Sequence, residues 1–419
     1  MIDFLKNIYH FFVAWVAAVV FGFPSKKLFV LGVTGTKGKS TVVELIRAIL
    51  EEAGHKAAII SSLHIKIGDE DQKNDTSMSM PGRGYLQRFL KKAVSTGCDY
   101  ALIEVTSQGV LQYRHRFVDF DAALVTNIHP EHIEAHGSFE NYRDAKCRFF
   151  ADLKHSFKEN KQVFINDMMV HKDCFEKAAV TGGAQASYFS REEFINDDLK
   201  NHYNGLDSDR AKKMISLWLQ NDFNLENVAA AVAFAKSRGI MTDKIFKTLE
   251  VFKGVPGRLE HIIRKPFSVV VDYAHTPDSL EAVYKALAEG GKNKLICVLG
   301  AAGGGRDKWK RPSMGRIAAD YCSRLILTNE DPYDESPLRI LEDIEKGIWE
   351  ERNNTNRQVQ YEKVLDRRDA IKKAISYAEK NDVVVLTGKG SELWIHVEKG
   401  NKIPWSERGV VEETLKLKM

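Results

Sequence analysis

The stretch LFVLGVTGTKGKSTVVELIRAILEEA, residues 28–53, contains a complete strand, loop and helix unit. Leu28 to Val33 is a short apolar run that predicts a buried strand, and Thr41 to Ala53 has apolar residues at helical spacing. The glycines and threonines between these two segments predict a tight turn. A strand that passes through such a turn directly into a helix is typical of α/β proteins with a parallel sheet.

The alternation of strands and helices continues along the chain. Further strands are predicted at 56–61, 100–105, 122–126, 267–271, 295–299, 324–327 and 383–386. We therefore predict an α/β fold with a P-loop-type central domain, whose sheet is mostly parallel, and a Rossmann-like C-terminal domain. Val255-Pro256-Gly257 marks the boundary, which gives a central domain over 29–256 and a C-terminal domain over 257–419.

Composition excludes several classes of protein. A length of 419 residues fits two or three domains. The net charge of +4, from 61 basic and 57 acidic residues, is too small for a nucleic-acid coat, so we expect no nucleic-acid partner. The five cysteines include no CxxC pair, which argues against a disulfide framework and favours a reducing cytoplasm.

Residues 1–28 form an apolar N-terminal arm that includes FFVAWVAAVVFGF at 11–23. As a helix this run would rise about 20 Å, which is short of the roughly 30 Å core of a bilayer. Two interpretations remain for residues 8–24. The favoured one is a short helix buried against the body or a protein partner, and the other is an arm on the membrane face with Lys26 and Lys27 near anionic headgroups.

The loop Gly32 to Thr41, GVTGTKGKST, has the properties of a phosphate cradle. Its backbone N–H groups and the following helix N-terminus face one point, Lys39 can reach terminal phosphates, and the Ser40 hydroxyl can bind Mg²⁺. It departs from the usual P-loop spacing, because the first glycine of that motif would fall on Val33. The alternative is a glycine-rich turn with an incidental lysine, but the strand and helix on either side favour binding of ATP or GTP.

Polar side chains follow two predicted strands at one sheet edge. Glu104 ends the strand at 100–105, and His129, Glu131 and His132 follow the strand at 122–126. Ligands bind at the carboxyl edge of open α/β sheets, so these groups are candidates for a metal site. Solvated loop positions are the alternative for each of them.

Lys146 lies in the predicted helix FENYRDAKCRFF at 139–150. Tyr142, Lys146 and Phe149 share one helical face, which predicts that this lysine points inward. An ion pair or a snorkelling side chain would explain the pattern equally well.

Nine motifs together resemble the Mur ligase family, in particular its MurE type, the UDP-N-acetylmuramoyl-tripeptide synthetases. They are GVTGTKGKST, EVTSQG, TNIHPEHIEAHG, FENYRDAK, NLENVAAA, VPGRLE, DYAHTPDSLE, LGAAGGGRDKWKRP and GKGSE, and they span residues 29 to about 395. The resemblance implies an ATP-dependent ligase of the cytoplasm that adds one amino acid to a UDP-muramoyl-peptide during peptidoglycan synthesis, through an acyl phosphate.

The resemblance also implies roles for individual residues. Lys39, Lys146 and His132 would be catalytic, with Lys146 converted by CO₂ into a carbamate. Two Mg²⁺ ions would be held by Ser40, Glu104, His132 and Lys146. The nucleotide would contact Thr36, Gly38, Lys39, Ser40, Thr41, Asn227, Arg258 and Asp272. The alternatives for the last three are a helix cap, a linker ion pair and a turn former.

Substrate positions follow from the same resemblance. The muramoyl-peptide acceptor would touch Thr106, Gln112 and Arg114. The incoming amino acid would meet Arg306, Glu330, Asp331, Gly388 and Glu392. Two domains would thus share one ATP and close to assemble the site.

Two departures from the family pattern affect the substrates. Only 31 residues precede Gly32, where the family usually has a UDP-binding domain. We expect either a UDP-muramoyl-dipeptide that is held more weakly or with a partner, or an arm that meets a membrane-linked or different peptide acceptor. Where diaminopimelate enzymes have Asp-Asn-Pro-Arg, this chain has Glu330-Asp331-Pro332-Tyr333. Tyr333 cannot pair bidentately with a carboxylate, and the two acids predict an acidic rim, so a lysine-like residue is expected rather than meso-diaminopimelate.

Other functions stay open at this point. They are glutamate addition to a folate-like substrate, a ligase-like binding subunit that acts on a lipid-linked acceptor, and a P-loop regulator without ligase activity. The motifs DYAHTP and GKGSE argue against the first, and the missing four-cysteine ribbon argues against the second.

Overall fold

The computed structural model describes residues 2–76, 78–82, 84–288, 294–355 and 359–418. The chain divides into two compact units, Met1–Lys253 and Gly254–Met419. Each unit contains its own sheet with helices packed against it.

The first unit begins with a helix and then alternates strands and helices. Its first half contains α1 (Ile2–Phe21), a 3₁₀ turn (Pro24–Lys27), β1 (Phe29–Thr34), α2 (Lys39–Glu52), β2 (Ala57–Ile60), β3 (His64–Ile67), β4 (Glu70–Lys73), α3 (Tyr85–Ser95), β5 (Tyr100–Glu104), α4 (Ser107–Leu111) and β6 (Ala122–Val125). Its second half contains α5 (Ile133–His136), α6 (Phe139–Ala151), a 3₁₀ turn (Asp152–His155), β7 (Gln162–Asn166), α7 (Lys172–Gly182), β8 (Gln185–Phe189), α8 (Arg191–Glu193), a π-helical turn (Phe194–Leu199), α9 (Lys200–His202), α10 (Ser208–Lys212), a 3₁₀ turn (Leu217–Leu219), α11 (Asp222–Ser237) and α12 (Thr242–Val251).

Within the described residues, eight strands of this unit form one sheet in the order β4-β3-β2-β5-β1-β6-β7-β8. The strands from β2 to β8 in that order are parallel, while β3 and β4 are antiparallel additions at one edge. The central strand β1 is buried because α2 packs on one side of the sheet and the Phe120, Phe149 cluster packs on the other. Pairing of Val33 with Glu104 and of Thr34 with Val125 brings three strand ends together, and this edge carries the phosphate loop.

The second unit has the same layered construction. It contains β9 (Glu260–Ile263), β10 (Ser268–Val271), α13 (Pro277–Ala288), β11 (Leu295–Leu299), α14 (Lys310–Tyr321), β12 (Arg324–Leu327), α15 (Pro337–Thr355), β13 (Gln360–Lys363), α16 (Arg367–Tyr377), β14 (Val383–Leu386), β15 (Trp394–His396), a 3₁₀ turn (Glu398–Gly400), β16 (Lys402–Pro404) and α17 (Glu407–Lys418). Among the described residues its main sheet has the order β13-β12-β11-β14-β10-β9, parallel except for β9.

The predicted fold class is confirmed, since both units are α/β with mostly parallel sheets. The prediction about cysteines is wrong: Cys147 pairs with Cys174 and Cys297 with Cys322, while Cys98 is unpaired and buried. Packing of α6 on α7, and of β11 beside the start of β12, brings these side chains together across 27 and 25 residues. The spacing of cysteines along the chain does not reveal such pairs. The absence of a CxxC pair is therefore no argument for a reducing cytoplasm.

The N-terminal helix α1 starts at Ile2, well before the apolar run at residue 11. Across the described parts of the chain, the length and apolar character required to cross a membrane are not combined in any one helix.

Candidate active site

The phosphate loop is preformed between β1 and α2. Gly38 stands at the N-cap of α2 with φ of 79°, in the left-handed region that favours glycine. The Lys39 ammonium donates to the carbonyl oxygens of Gly35 and Thr36, at 2.9 Å each. Ser40 and Thr41 are buried in the first turn of the helix. The first turn of α2 therefore begins at this loop, and a helix N-terminus of this kind favours an anion.

Residues that follow β6 fix this loop from the other side. The backbone N–H of Lys37 donates to Oδ1 of Asn127 at 2.9 Å, and the Thr126 hydroxyl donates to the Lys37 carbonyl at 2.5 Å. The Thr36 hydroxyl lies 3.1 Å from the Tyr142 hydroxyl and accepts from the His129 N–H at 3.0 Å. Sequence reasoning gave no role to Thr126 or Asn127, although Thr126 ends a predicted strand at the expected edge and Asn127 follows it.

Ser62, which sequence reasoning missed, contacts both Ser40 and Glu104. The Ser62 hydroxyl lies 2.9 Å from the Ser40 hydroxyl, and the Ser62 N–H donates to Oε1 of Glu104 at 3.2 Å. Glu104 is 1% exposed, and its Oε2 has no hydrogen-bond partner among the described residues. Ser62 follows β2, so the rule that strand ends share an edge could have found it.

Lys146 is buried beside the phosphate loop, as the helical pattern predicts. Its Nζ donates to the Gly35 carbonyl at 2.9 Å and lies 4.8 Å from the centre of the Tyr142 ring. Burial, reinforced by the charge of Lys39, lowers the pKa of Lys146 well below its ordinary value, while Glu131 and Glu104 act in the opposite direction. The amine is thus biased toward the neutral form.

His132 lies at the rim of this cluster. It precedes α5 with φ of 56°, and its side chain is 42% exposed. Its Nε2 is 4.0 Å from Oε2 of Glu131, and its ring centre is 5.8 Å from that of Tyr142. Glu131 is the buried member of the pair, and its charge raises the pKa of Lys146, so it belongs to the candidate site.

Two oxygen donors of the kind that magnesium binds lie near the phosphate loop. In the described part of the chain, no group of three or more His, Cys, Asp or Glu side chains is arranged to hold a metal. What converges is the Ser40 hydroxyl, the unpartnered carboxylate oxygen of Glu104 and the buried Lys146. Hydroxyl and carboxylate oxygens are the ligands that Mg²⁺ prefers.

Asn227 lies against the phosphate loop rather than at a helix end. It is buried in α11, and a Cβ atom placed on Gly38 would be 2.1 Å from its Oδ1. The helix α11 begins five residues earlier, at Asp222, so the capping alternative does not apply to Asn227.

Two residues with predicted nucleotide roles lie in the second unit. The Arg258 guanidinium stacks 4.3 Å from the Tyr273 ring centre and donates to the Gly257 carbonyl at 3.2 Å. Asp272 accepts from the N–H groups of Leu259 at 2.7 Å and Ala274 at 2.6 Å. Burial raises the pKa of Asp272 despite the opposing charge of Arg258. These contacts make Asp272 an anchor of the local backbone.

The residues predicted to meet the amino acid converge at the carboxyl edge of the second sheet. Glu330 lies against Gly388, where an added Cβ would be 2.2 Å from its Oε2. The buried Lys389 ammonium donates to Asp331 at 2.9 Å and to Glu392. Sequence reasoning missed Lys389, although it lies inside the motif GKGSE.

The predicted acidic rim is wrong. Glu330 and Asp331 are 5% and 7% exposed, so neither acid lines an open surface. Burial and the neighbouring Asp331 raise the pKa of Glu330. Asp331 is occupied by Lys389 and by the His396 N–H, which donates to it at 2.8 Å.

Tyr333 presents an aromatic ring where the related diaminopimelate motif has arginine. The ring stacks on His396 with centres 5.0 Å apart, and the backbone has φ of 50°. Burial, together with Asp331, raises the pKa of Tyr333, while the nearby Arg306 acts in the opposite direction. Arg306 is exposed at this position and is the cation that remains beside the ring.

Two of the three predicted acceptor residues lie at a cavity of about 400 Å³ beneath α1. Gln112 and Arg114 line it, and Arg114 donates to Oε1 of Gln112 and to the Met80 carbonyl, both at 2.5 Å. Gln87 also lines it; its Oε1 is buried without a hydrogen-bond partner among the described residues. Thr106 instead caps α4, accepting from the Gly109 N–H at 3.0 Å.

Comparison with known proteins identifies the class. Residues 33–235 match the family model for the Mur ligase middle domain, and residues 257–390 match that for the Mur ligase, glutamate ligase domain. Together with the phosphate loop, these matches define an ATP-dependent amide-bond ligase.

Curated relatives and solved structures narrow this further. A UDP-N-acetylmuramoyl-L-alanyl-D-glutamate--2,6-diaminopimelate ligase of Syntrophomonas wolfei is 34% identical over 97% of this chain and 82% of its own length. The enzyme of that name from Aquifex aeolicus is 36% identical over 94% of this chain and 79% of its own length. The chain belongs to the Mur ligase family and to its peptidoglycan-synthesis branch.

Two solved structures share the architecture. The structure of a UDP-N-acetylmuramoyl-L-alanyl-D-glutamate--2,6-diaminopimelate ligase has a TM-score of 0.57 and 26% identity, covering 93% of this chain and 79% of that one. A Mycobacterium tuberculosis folylpolyglutamate synthase complexed with ADP and AMPPCP has a TM-score of 0.66 at 16% identity, covering 90% of this chain and 92% of that one. The second likeness concerns the fold alone.

Proposed function

We propose that this ligase adds a diamino acid as the third residue of a UDP-N-acetylmuramoyl-dipeptide in the cytoplasm. The observation that carries the proposal is the convergence of Lys39, Ser40, Glu104 and Lys146 on one phosphate loop. The names of the relatives, which specify a muramoyl-alanyl-glutamate acceptor, support the same acceptor class.

The chemistry requires activation of a carboxylate before an amide can form. The acceptor carboxylate attacks the γ-phosphorus of ATP, which gives an acyl phosphate and ADP; the amine then attacks the carbonyl, and phosphate leaves. Lys39 and the N–H groups of the loop would orient the triphosphate and offset its charge. Ser40, Glu104, His132 and carbamylated Lys146 would hold two Mg²⁺ ions, which neutralise charge that develops on the phosphoryl oxygens.

Carbamylation of Lys146 follows from its surroundings. CO₂ reacts with a neutral amine, and burial beside Lys39 favours that form of Lys146. The product carries a negative charge, which would suit a position close to Lys39 and to bound cations. The reaction would convert the neutral amine into an anionic carbamate, with release of one proton, and would so supply an oxygen ligand.

Selectivity for the amino acid is proposed to depend on Tyr333. Diaminopimelate has a distal carboxylate that lysine lacks, and Tyr333 offers it no bidentate cation. We therefore propose that lysine is preferred, although the relatives are named for diaminopimelate. The exposed Arg306 beside Tyr333 is the residue that would give diaminopimelate its residual binding.

The acceptor is proposed to occupy the cavity beneath α1. Arg114 supplies positive charge, while Gln112 and Gln87 supply amide groups that can hydrogen-bond to a sugar or peptide. The unpartnered Oε1 of Gln87 would accept a hydrogen bond from the acceptor, which offsets the cost of its burial.

Phosphate release from ATP tests the function. The purified full chain is assayed with Mg²⁺, UDP-muramoyl-dipeptide and either lysine or meso-diaminopimelate. We expect release that requires both acceptor and amino acid, with a higher kcat/KM for lysine, and a tripeptide product by mass spectrometry. Phosphate release that does not depend on the acceptor, or that occurs only with a folate acceptor, would contradict the proposal.

A further inference from the structure

The helix α1 has an outward face of large apolar side chains that the ligase chemistry does not use. Ile8, Phe12, Trp15 and Val19 recur at i, i+4, i+7 and i+11, and they are 51%, 57%, 45% and 48% exposed. These four residues define the outward face. The opposite side of α1 supplies the buried Ala17 and Ala18 and lines the cavity.

An exposed apolar surface of this kind marks an interaction site rather than ordinary surface scatter. Phe11 and Val20 are also exposed and widen the face. Trp, Phe and branched aliphatic residues on one side of a helix are the composition of helices that lie in a membrane interface.

Basic residues border this face at both ends. Lys6 precedes it, and the exposed Lys26 and Lys27 follow it in the 3₁₀ turn. The sequence from Phe4 to Lys27 contains three lysines and no acidic residue. Positive charge of this kind beside an apolar face complements an anionic lipid surface.

Lys26 also contacts an exposed aromatic residue of another segment, Phe157. It is 80% exposed, and the Lys26 ammonium lies 5.0 Å from the centre of its ring. Of the acids nearby, Asp119 is buried and accepts from the Phe157 N–H at 3.0 Å, Asp121 pairs with Lys158 at 3.1 Å, and Glu159 is exposed. At this end of α1 both Lys26 and Lys27 present their charge to solvent.

We propose that the outward face of α1 binds the surface of a bilayer that contains anionic lipids. A two-fold contact between two copies through this face would bring its bordering lysines close to those of the other copy, which is unfavourable. In an anionic bilayer, the acyl-chain region can accept the apolar side chains while the lipid headgroups neutralise the lysines. This binding does not depend on the ligase reaction, and it would hold the acceptor cavity close to the membrane.

Vesicle sedimentation of the full chain tests the proposal. We expect the protein to sediment with vesicles of phosphatidylcholine and phosphatidylglycerol at low salt, and far less with phosphatidylcholine alone. Phe12→Ser combined with Trp15→Ser should weaken binding roughly tenfold or more. Lys26→Glu combined with Lys27→Glu should reduce binding to the anionic vesicles in particular.

Val180→Ser combined with Met241→Ser is the matched control, since both side chains are exposed apolar groups away from α1 and are 80% and 67% exposed. Binding of this control should equal that of the wild type. Absence of vesicle binding, or equal binding by the Phe12 and Trp15 variant, would overturn the proposal. So would a lipid-free dimer, seen by light scattering, that the same variant dissociates.

Discussion

The side-chain oxygen of Asn227 occupies the space beside Gly38, where a Cβ atom would lie only 2.1 Å from Oδ1. Gly38 also has φ of 79°. The phosphate loop and α11 are therefore fitted to each other at a position where only glycine fits.

Gly38→Ala should lower ATP affinity about tenfold or more, because either the loop or Asn227 must move. Calorimetric titration with a non-hydrolysable ATP analogue measures this. Gly54→Ala is the control: Gly54 has φ of 92°, but an added Cβ would have nothing within 4 Å. Both variants should lose stability of about 1 kcal/mol from backbone strain, but only Gly38→Ala should lose nucleotide affinity.

Lys146→Ala should reduce phosphate release by roughly 10²-fold or more, because it removes the group that would carry the carbamate. Short carboxylates such as acetate should restore part of the rate by supplying the missing oxygen ligand. The exposed Lys154, just beyond α6, gives the control Lys154→Ala, which should retain full activity. A Lys146→Ala enzyme with normal turnover would rule out the carbamate.

Lys389→Met should lower the free energy of unfolding by about 3 to 5 kcal/mol. The substitution leaves Asp331 and Glu392 without their shared cation, and Asp331 is buried. Urea denaturation followed by fluorescence measures the loss. Lys380→Met, at an exposed position, should change stability by no more than about 0.5 kcal/mol. A loss below 1 kcal/mol in Lys389→Met would show that this pair matters little for folding.

His261 should make the protein less stable as the pH falls. Burial, with a contribution from Arg264, lowers the pKa of His261 to about 4 from an ordinary 6.5. Below about pH 6.5, His261 is therefore protonated in the unfolded chain but stays neutral in the folded chain. The free energy of unfolding decreases as the pH falls from 6.5 toward 4.

Urea titrations at pH 7 and pH 5 measure this effect. His261→Gln should lose less stability between the two values than the wild type does. Arg264→Gln should fall between them, because it removes the smaller of the two causes. An unchanged pH dependence in His261→Gln would show that other groups account for it.

Tyr333→Arg should raise kcat/KM for meso-diaminopimelate relative to lysine by about tenfold or more, because the guanidinium can pair with the distal carboxylate. Tyr333→Phe is the control, since it keeps the ring that stacks on His396 and adds no cation. Competition between the two amino acids, with products separated by mass, gives the ratio directly. If the wild type already prefers diaminopimelate, the proposed role of Tyr333 fails.

Local patterns were sufficient to predict the strand, loop and helix unit at residues 28–53. Apolar runs and helical spacing act over a few residues, so they remain visible in one sequence. They also predicted that Lys146 points inward, and the structure buries it beside Gly35.

Contacts between distant segments could not be predicted in this way. Ser62 reaches both Ser40 and Glu104 only because β2, β5 and β1 are neighbours in the sheet. The prediction of an acidic rim was wrong for a related reason. A position next to a turn does not reveal that Glu330 packs against Gly388. Pairing of Cys147 with Cys174 likewise depends on how α6 and α7 pack.

The strand β4 ends the larger sheet, and all of its residues, Glu70 to Lys73, are exposed. Pairing of a strand from another molecule with β4 would remove water from Glu70, Asp71 and Lys73, which costs free energy. The charged side chains of β4 therefore disfavour growth of a fibril from that edge of the sheet.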